Sequence, residues 1–423
     1  MTVEQKSALI VAIVGMPARG KTYTARKIAR YLNWRGHDAK VFNVGNYRRK
    51  HLGAKQPATF FDPENPEGRR ARKQMAMAAL EDMIGWLSDG GEVAIYDATN
   101  STRVRRGLIQ KTADEHQTKL IFVESICDMP SIIEENIRET KISSPDYRGI
   151  DEQHAVTDFR KRIAFYHQAY EPLQPDEGSW VKIIDVGRQI ITNEITGYLP
   201  GRIVFFLMNI HLGKRLVWLT RHGESQYNVA GKIGGDSMLS ARGEKFSTAL
   251  SAHFSSPKRT PSEVWTSTLH RTIQTSKHLA IPTRHIKNLD ELNAGVRDGL
   301  TYEQIKSRFP EEYAARKQNK FGYRYPQGES YQDLIRRLDP IIVELERKAK
   351  PVLIVAHQAV LRALYAYLMD IPPEQCPFLD MPLHTVIQLE PKAYGCAESR
   401  TSLDSSSDSA TASSILGSNG GIS

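Results

Sequence analysis

The sequence predicts two successive α/β domains, each on a mainly parallel sheet, and three observations carry that expectation. At 423 residues the chain exceeds what one hydrophobic core ordinarily serves. Apolar runs of strand length alternate with segments of helical periodicity, the pattern of a sheet covered by helices on both faces. In each half an apolar run ends in a loop containing glycine and basic residues, where open α/β sheets place their ligands.

In the first half, residues 8–14 are such a run, followed by Gly15-Met16-Pro17-Ala18-Arg19-Gly20-Lys21-Thr22. This is G-x-x-x-x-G-K-[ST], the phosphate-binding loop. Gly15 and Gly20 let successive backbone N–H groups converge on phosphate oxygens. Lys21 can reach the β- and γ-phosphates of a nucleotide, and the Thr22 hydroxyl can ligate Mg²⁺. A helix over 23–32 turns its positive end toward those phosphates. A strand over 39–44 leads into Gly45-Asn46-Tyr47-Arg48-Arg49-Lys50, read as a basic loop. Helical periodicity spans 69–87, with Arg69, Arg70, Arg72 and Lys73 in its first turn. Cations there oppose the helix dipole, so either an anion compensates them or they form a solvated face. The strand over 93–97 ends in Asp97, the position of a Walker B carboxylate that holds the nucleotide's Mg²⁺. A strand over 120–123 and a helix over 130–140 complete an arrangement that reads as a nucleoside-triphosphate kinase with an anionic acceptor. No catalytic base stands out beside Asp97.

In the second half, the run 216–219 leads into Thr220-Arg221-His222-Gly223-Glu224-Ser225, and the run 352–356 ends at His357. Two histidines at strand ends, with arginines near both, read as a phosphate-handling pair. Asn228 and Gly231-Lys232-Ile233-Gly234-Gly235 form a glycine-rich loop. Arg271 opens a helix after a short strand over 263–266 and is a second phosphate clamp. Glu291 is a candidate proton donor, although on spacing alone a solvated loop carboxylate fits better. Lys317, Lys320, Tyr323, Arg324 and Tyr325 either stack on bases or form a solvated loop. Residues 187–214 mix glycine, proline and short apolar runs, and read as the linker, with the boundary near Gly213. From Ala397 onward the chain is serine-rich and reads as a disordered tail.

The formal net charge of +9 favours anionic partners: nucleic acid, a membrane surface or phosphorylated small molecules. Cys127, Cys376 and Cys396 have neither metal-type nor redox spacing, which suits a reduced cytosol. No signal-peptide pattern follows Met1, and the run 203–210 is too short to span a bilayer, so a cytoplasmic protein without membrane partners is expected.

The motifs, in this order, resemble those of the bifunctional 6-phosphofructo-2-kinase/fructose-2,6-bisphosphatase family over about residues 8–395. Those that carry the resemblance are Gly-Met-Pro-Ala-Arg-Gly-Lys-Thr, Tyr-Asp-Ala-Thr-Asn, Ser-Pro-Asp-Tyr at 144–147, Arg-His-Gly-Glu-Ser, Arg-Tyr-Pro-Gln-Gly-Glu-Ser at 324–330 and His-Gln-Ala-Val at 357–360. The resemblance implies a P-loop kinase domain over 1–212 and a histidine-phosphatase domain, similar to phosphoglycerate mutases, over 213–396. The tail then covers 397–423.

On the kinase side the resemblance implies that Lys21, Thr22 and Asp97 serve ATP and Mg²⁺. Asn136 lies in an ATP-contact stretch, Lys141 stabilises the transferring phosphoryl group and Cys127 lies close to the centre. Arg48, Arg72, Thr99, Arg105, Arg162 and Tyr166 match a fructose 6-phosphate pocket. On the phosphatase side His222 is the nucleophile that becomes phosphohistidine, and Glu291 protonates the leaving sugar oxygen. His357, Arg221 and Arg271 hold the phosphoryl group, with Asn228 and Gly234 nearby. Tyr302, Arg316, Lys320, Tyr331, Gln358 and Arg362 match sugar-phosphate contacts. The family also implies a homodimer through the kinase domains and small-molecule partners only. Two positions depart from many relatives: Asn293 stands in place of Asp, and His270 in place of Lys. An aspartate at 293 facing the same cavity would raise the Glu291 pKa, whereas a residue capping a turn would not. A polynucleotide end-processing kinase-phosphatase and a regulatory protein with one degenerate site are the alternatives. No nucleic-acid-binding motif of standard type supports the former.

Overall fold

A computed structural model describes residues 8–138, 144–211, 213, 215–257, 259–392 and 395–404. The chain forms two units, Met1–Leu212 and Gly213–Ser423. The first is built on strands β1 (Leu9–Val14), β2 (Ala39–Asn43), β3 (Val93–Asp97), β4 (Lys119–Ile126), β5 (Trp180–Ile184) and β6 (Gln189–Asn193). They lie in the order β2-β3-β1-β4-β5-β6, parallel except for β6. All six residues of β1 are buried, which is why it reads as an unbroken apolar run. Ile10, Ala12 and Val14 pack on one face with Phe42, Leu80, Met83 and Tyr96. The phosphate loop therefore leaves the sheet at the carboxyl end of an inner strand and opens the helix Lys21–Trp34.

The second unit contains β7 (Val217–Arg221), β8 (Glu263–Thr266), β9 (Thr283–His285), β10 (Val352–Ala356), β11 (Thr385–Lys392) and β12 (Gly395–Ser402), in the order β12-β11-β7-β10-β8-β9. β7, β10, β8 and β9 are parallel, while β11 and β12 run antiparallel to their neighbours. The register that matters pairs Ala356 of β10 with Arg221 of β7. The next residue on each strand is a histidine, so the ladder sets His222 and His357 side by side.

Four sequence expectations need correction. Residues 45–50 are not a loop: Val44–Leu52 is a helix, capped by the Asn43 side chain accepting from the Asn46 N–H at 3.0 Å. The next helix starts at Pro66, earlier than expected, with Asn65 as its cap and Glu67 in its first turn. Arg70, Arg72 and Lys73 thus lie beyond that turn and call for no compensating anion. The proposed linker contains β6 and the helix Tyr198–Leu207, whose Phe206 stacks on Tyr31 with ring centroids 4.1 Å apart. It is part of the first unit's packing.

The tail does not begin at 397. Residues 397–402 pair with β11, and Leu403 N–H donates to His384 O at 2.8 Å. β12 is polar and largely exposed, so composition alone reads it as a tail. Truncation after Cys396 would strip β11 of its outer neighbour and Tyr365 of the Glu398 carboxylate that accepts from its hydroxyl. The expected result is a melting temperature lower by roughly 5 °C or more, measured by calorimetry. An unchanged value would show that the strand contributes nothing.

Candidate active sites

In the second unit, a cavity of about 460 Å³ opens at the carboxyl ends of β7 and β10. Its walls include His222, Glu291 and all ten residues matched to the bisphosphate: Arg221, Asn228, Gly234, Arg271, Tyr302, Arg316, Lys320, Tyr331, Gln358 and Arg362. Gly223 is needed for close approach, because a β-carbon there would meet the Gly243 carbonyl oxygen at 2.6 Å. The strand-to-loop turn is pinned by His222 N–H on Ala356 O at 3.0 Å and Gly223 N–H on Thr275 Oγ1 at 2.9 Å.

The hydrogen bonds assign protons to both histidines. His222 Nδ1 lies 2.7 Å from the Gly223 carbonyl, which can only accept. Nδ1 therefore carries the proton and Nε2 keeps its lone pair. Burial, then the positive charge of Arg271, pushes the ring's pKa well below the ordinary histidine value. The ring is neutral at physiological pH, as a nucleophile must be. His357 lies with its ring centroid 5.2 Å away. Its Nδ1 accepts from Arg271 Nε at 3.2 Å, so Nε2 donates to Ser267 Oγ at 2.8 Å. His357 is fully buried and is not part of the cavity wall. It reaches the site through Arg271, whose Nη1 is also held by Gly235 O at 2.7 Å.

Arg221 Nη1 donates to Met381 O at 3.0 Å, and burial lowers this guanidinium to about 10, so it stays charged at neutral pH. Glu291 Oε1 accepts from the Leu292 N–H at 2.9 Å and the Ala359 N–H at 3.3 Å. Asn293 is exposed: its side chain accepts from the Gly295 N–H at 2.8 Å and does not line the cavity. Residue 293 therefore caps a turn and does not face the cavity that Glu291 lines. His270 is likewise outside the cavity, with Nδ1 2.6 Å from Asp236 Oδ2. Tyr323 and Tyr325 line the cavity, while Arg324 pairs with Asp333 outside it.

In the first unit, Gly15 N–H donates to Thr99 O at 2.9 Å, and Asn136 Nδ2 donates to Ala18 O at 3.1 Å. A β-carbon on Gly15 would lie 2.5 Å from the Ser125 carbonyl oxygen. Lys21 Nζ donates to Met16 O at 2.5 Å across the loop. Gly20 caps the following helix in the left-handed region, at φ 76. Asp97 is buried at the end of β3, with the Asn43 amide on one of its oxygens. Cys127 is buried directly after β4.

Ala18 of the loop packs in one buried cluster with Tyr147, whose ring centroid is 4.8 Å from the Arg162 guanidinium. Arg162 also stands 4.5 Å and Arg48 5.6 Å from the ring centroid of Phe61, and the Tyr166 ring is 6.1 Å from Phe61. Arg72 stands over Phe60 at 5.9 Å, its affinity for its proton lowered by burial, with Tyr166 and Arg105 as ionisable neighbours. One neighbourhood thus gathers Arg48, Arg72, Arg105, Arg162 and Tyr166. Lys141 lies outside the described residues.

Sequence reading missed the supports of these groups. Asn43, Ser267 and Thr275 hold Asp97, His357 and the Gly223 turn respectively. Asn43 precedes a helix and could have been read as its cap; the other two carry no sequence signal. Among the described residues no helix is long and apolar enough to cross a membrane, and no group of three or more His, Cys, Asp or Glu could hold a metal ion.

The profile of 6-phosphofructo-2-kinase matches residues 1–214, and that of the histidine phosphatase superfamily (branch 1) matches residues 217–403. The chain is 51% identical over 395 residues to 6-phosphofructo-2-kinase/fructose-2,6-bisphosphatase 3 of Rattus norvegicus, covering 92% of this chain and 71% of that protein. The protein of that name from Homo sapiens is 50% identical, with 92% and 76% covered. The 6-phosphofructo-2-kinase/fructose-2,6-bisphosphatase of Arabidopsis thaliana is 51% identical, with 93% and 54% covered. Two successive profiles over 1–214 and 217–403, with relatives at about 50% identity over 92% of the chain, show that the chain belongs to the 6-phosphofructo-2-kinase/fructose-2,6-bisphosphatase family.

Proposed function

We propose that the first unit makes fructose 2,6-bisphosphate from ATP and fructose 6-phosphate, and that the second hydrolyses it back to fructose 6-phosphate and phosphate. The observation that carries this reading is the presence, in one chain, of a phosphate loop and an arginine-rich acceptor cluster linked through Tyr147, which packs with Ala18 of the loop and carries Arg162 over its ring, and of a cavity holding a bare histidine Nε2.

For hydrolysis, His222 Nε2 attacks phosphorus of the 2-phosphate, and the N–P bond forms as the P–O bond to the sugar breaks. Arg221 and Arg271 neutralise charge on the phosphoryl oxygens. Glu291 gives its proton to the departing sugar oxygen, and water then attacks the phosphohistidine, with Glu291 taking a proton back. His357 positions Arg271. Arg316, Lys320, Tyr302, Tyr331, Gln358 and Arg362 hold the remaining sugar and phosphate groups.

For phosphoryl transfer, Gly15, Gly20, Lys21 and Asn136 support ATP, and Arg48, Arg72, Thr99, Arg105, Arg162 and Tyr166 support the acceptor, with Lys141 assigned to the transferring group. Only Thr22 and Asp97 are assigned to Mg²⁺. A buried carboxylate and a hydroxyl suit a hard cation that takes its other oxygens from water and nucleotide. Such an ion would neutralise charge on the phosphates. A homodimer through the first units is supported by β6, an edge strand with an exposed Ile191. A cytoplasmic location is part of this proposal.

The test is to assay both directions on the purified protein, with radiolabelled ATP plus fructose 6-phosphate and with fructose 2,6-bisphosphate labelled at the 2-phosphate. Failure of either to turn over would remove that half of the reading.

Lys320 adds a pH prediction. Burial, reinforced by Arg362 and Arg316, lowers its pKa to about 8, and its Nζ is held by Pro377 O at 2.8 Å. Below that pH the ammonium attracts the anionic substrate, and above it the charge is lost. Hydrolytic kcat/KM should therefore fall as pH rises through about 8. Bound phosphate favours the charged form, so the limb in kcat should lie higher. Lys320→Arg should remove the limb from kcat/KM; a limb unmoved in that variant would assign it to another group.

A further inference from the structure

The peptide joining Gly223 to Glu224 is held at both ends by histidine rings. Its carbonyl oxygen accepts from His222 Nδ1 at 2.7 Å, and its N–H donates to His384 Nε2 at 3.1 Å. The C=O and N–H of a trans peptide share a plane and point in opposite directions. A group that fixes the N–H therefore fixes the carbonyl too. Glycine on one side makes rotation of this plane easy, so the hydrogen bonds at its ends decide its orientation.

His384 is built into this position. It is 2% exposed and stacks on Phe246 with ring centroids 4.8 Å apart. Its backbone sits in the left-handed region at φ 54, directly before β11. Accepting at Nε2 leaves its proton on Nδ1, which faces Asp404 Oδ2 at 3.7 Å. Asp404 also pairs with Arg242, and Arg242 reaches Glu224 Oε2 at 3.4 Å. Ser240 Oγ donates to the other Glu224 oxygen at 2.7 Å. The residue that supplies the N–H is thereby fixed by its side chain as well as its backbone.

We propose that His384 is a positioning residue for hydrolysis: by accepting the Glu224 N–H it orients the Gly223 carbonyl, which keeps the proton of His222 on Nδ1 and Nε2 bare toward phosphorus. The inference rests on reading His222 as the nucleophile. Its physical consequence is a tautomer, and that can be observed without turnover.

The experiment uses the full chain with selectively nitrogen-labelled histidine, and two variants that separate ring packing from hydrogen bonding. His384→Phe keeps a ring on Phe246 but has no acceptor, while His384→Gln loses the ring and keeps an oxygen that can accept the N–H. Nitrogen NMR, with His222→Gln to assign the signal, should show the Nδ1–H tautomer of His222 in the wild type and in His384→Gln. It should show loss of that tautomer, or a mixture, in His384→Phe. Since a wrong tautomer can cost up to about 10⁴-fold in a histidine-dependent enzyme, hydrolytic kcat in His384→Phe should fall about 10- to 100-fold. Its KM should stay within about threefold, and His384→Gln should recover most of the rate. A pure Nδ1–H tautomer with undiminished kcat in a folded His384→Phe protein would overturn the proposal. So would a folded His384→Gln protein that has lost the tautomer, which decides the matter even if His384→Phe does not fold. Absence of acid-labile phosphohistidine in the wild type would instead remove the nucleophile reading, and the NMR result would still judge the role of His384.

Discussion

His222→Ala should lower fructose 2,6-bisphosphate hydrolysis by about 10⁴-fold or more, because among the described residues no other histidine lines the cavity. The His357 ring cannot substitute: both its nitrogens are engaged, with Arg271 and Ser267, and it does not line the cavity. Residual activity would come from the arginines and Glu291 acting on a directly attacking water. The variant should also lose acid-labile labelling by substrate radiolabelled at the 2-phosphate. Synthesis from ATP should stay within about twofold, since the changed side chain lies in a separate unit with its own sheet. Rapid-quench labelling and steady-state assays of both directions check this. Retention of labelling would show that another residue carries the phosphoryl group.

What the sequence revealed, and what it hid, follows from the physics of each element. β1 with its loop was legible because a fully buried parallel strand must be apolar throughout and the loop needs its glycines at fixed spacing. The histidine pair was legible for a similar reason: each ends a buried strand. That the strands are neighbours in register is a long-range fact that only the sheet supplies. The helix Val44–Leu52 was missed because it is basic and buries only Arg48, so no apolar periodicity marks it. The helix Tyr198–Leu207 was missed because Pro200 and Gly201 read as loop, while stacking of Phe206 on Tyr31 overrides that local preference. β12 is a strand because β11 offers it an edge, not because its own residues favour one. The hydrogen-bond partners of His357 were hidden for a different reason. A residue name fixes its chemistry but not its hydrogen-bond partners, and here Arg271 and Ser267 take both nitrogens.

Lys21→Ala should lower the kinase kcat by about 10³-fold and leave hydrolysis unchanged. Two contributions of this side chain can be separated by size. Its hydrogen bond from Nζ to Met16 O at 2.5 Å helps to shape the loop. Losing such a bond costs about 1 kcal/mol, or roughly fivefold in an equilibrium. A positive charge aimed at the phosphates as charge redistributes during transfer is worth several times more, and worth more in the transition state than in the bound nucleotide. The two roles therefore predict different patterns. Loop shaping alone would raise KM for ATP several-fold and change kcat little. Transition-state stabilisation would lower kcat far more than it raises KM. Nucleotide affinity measured by equilibrium titration, set beside kcat for Lys21→Ala, distinguishes them. A loss of kcat smaller than about tenfold would place Lys21 in the architecture of the loop and leave the phosphoryl charge to the arginine cluster and Lys141.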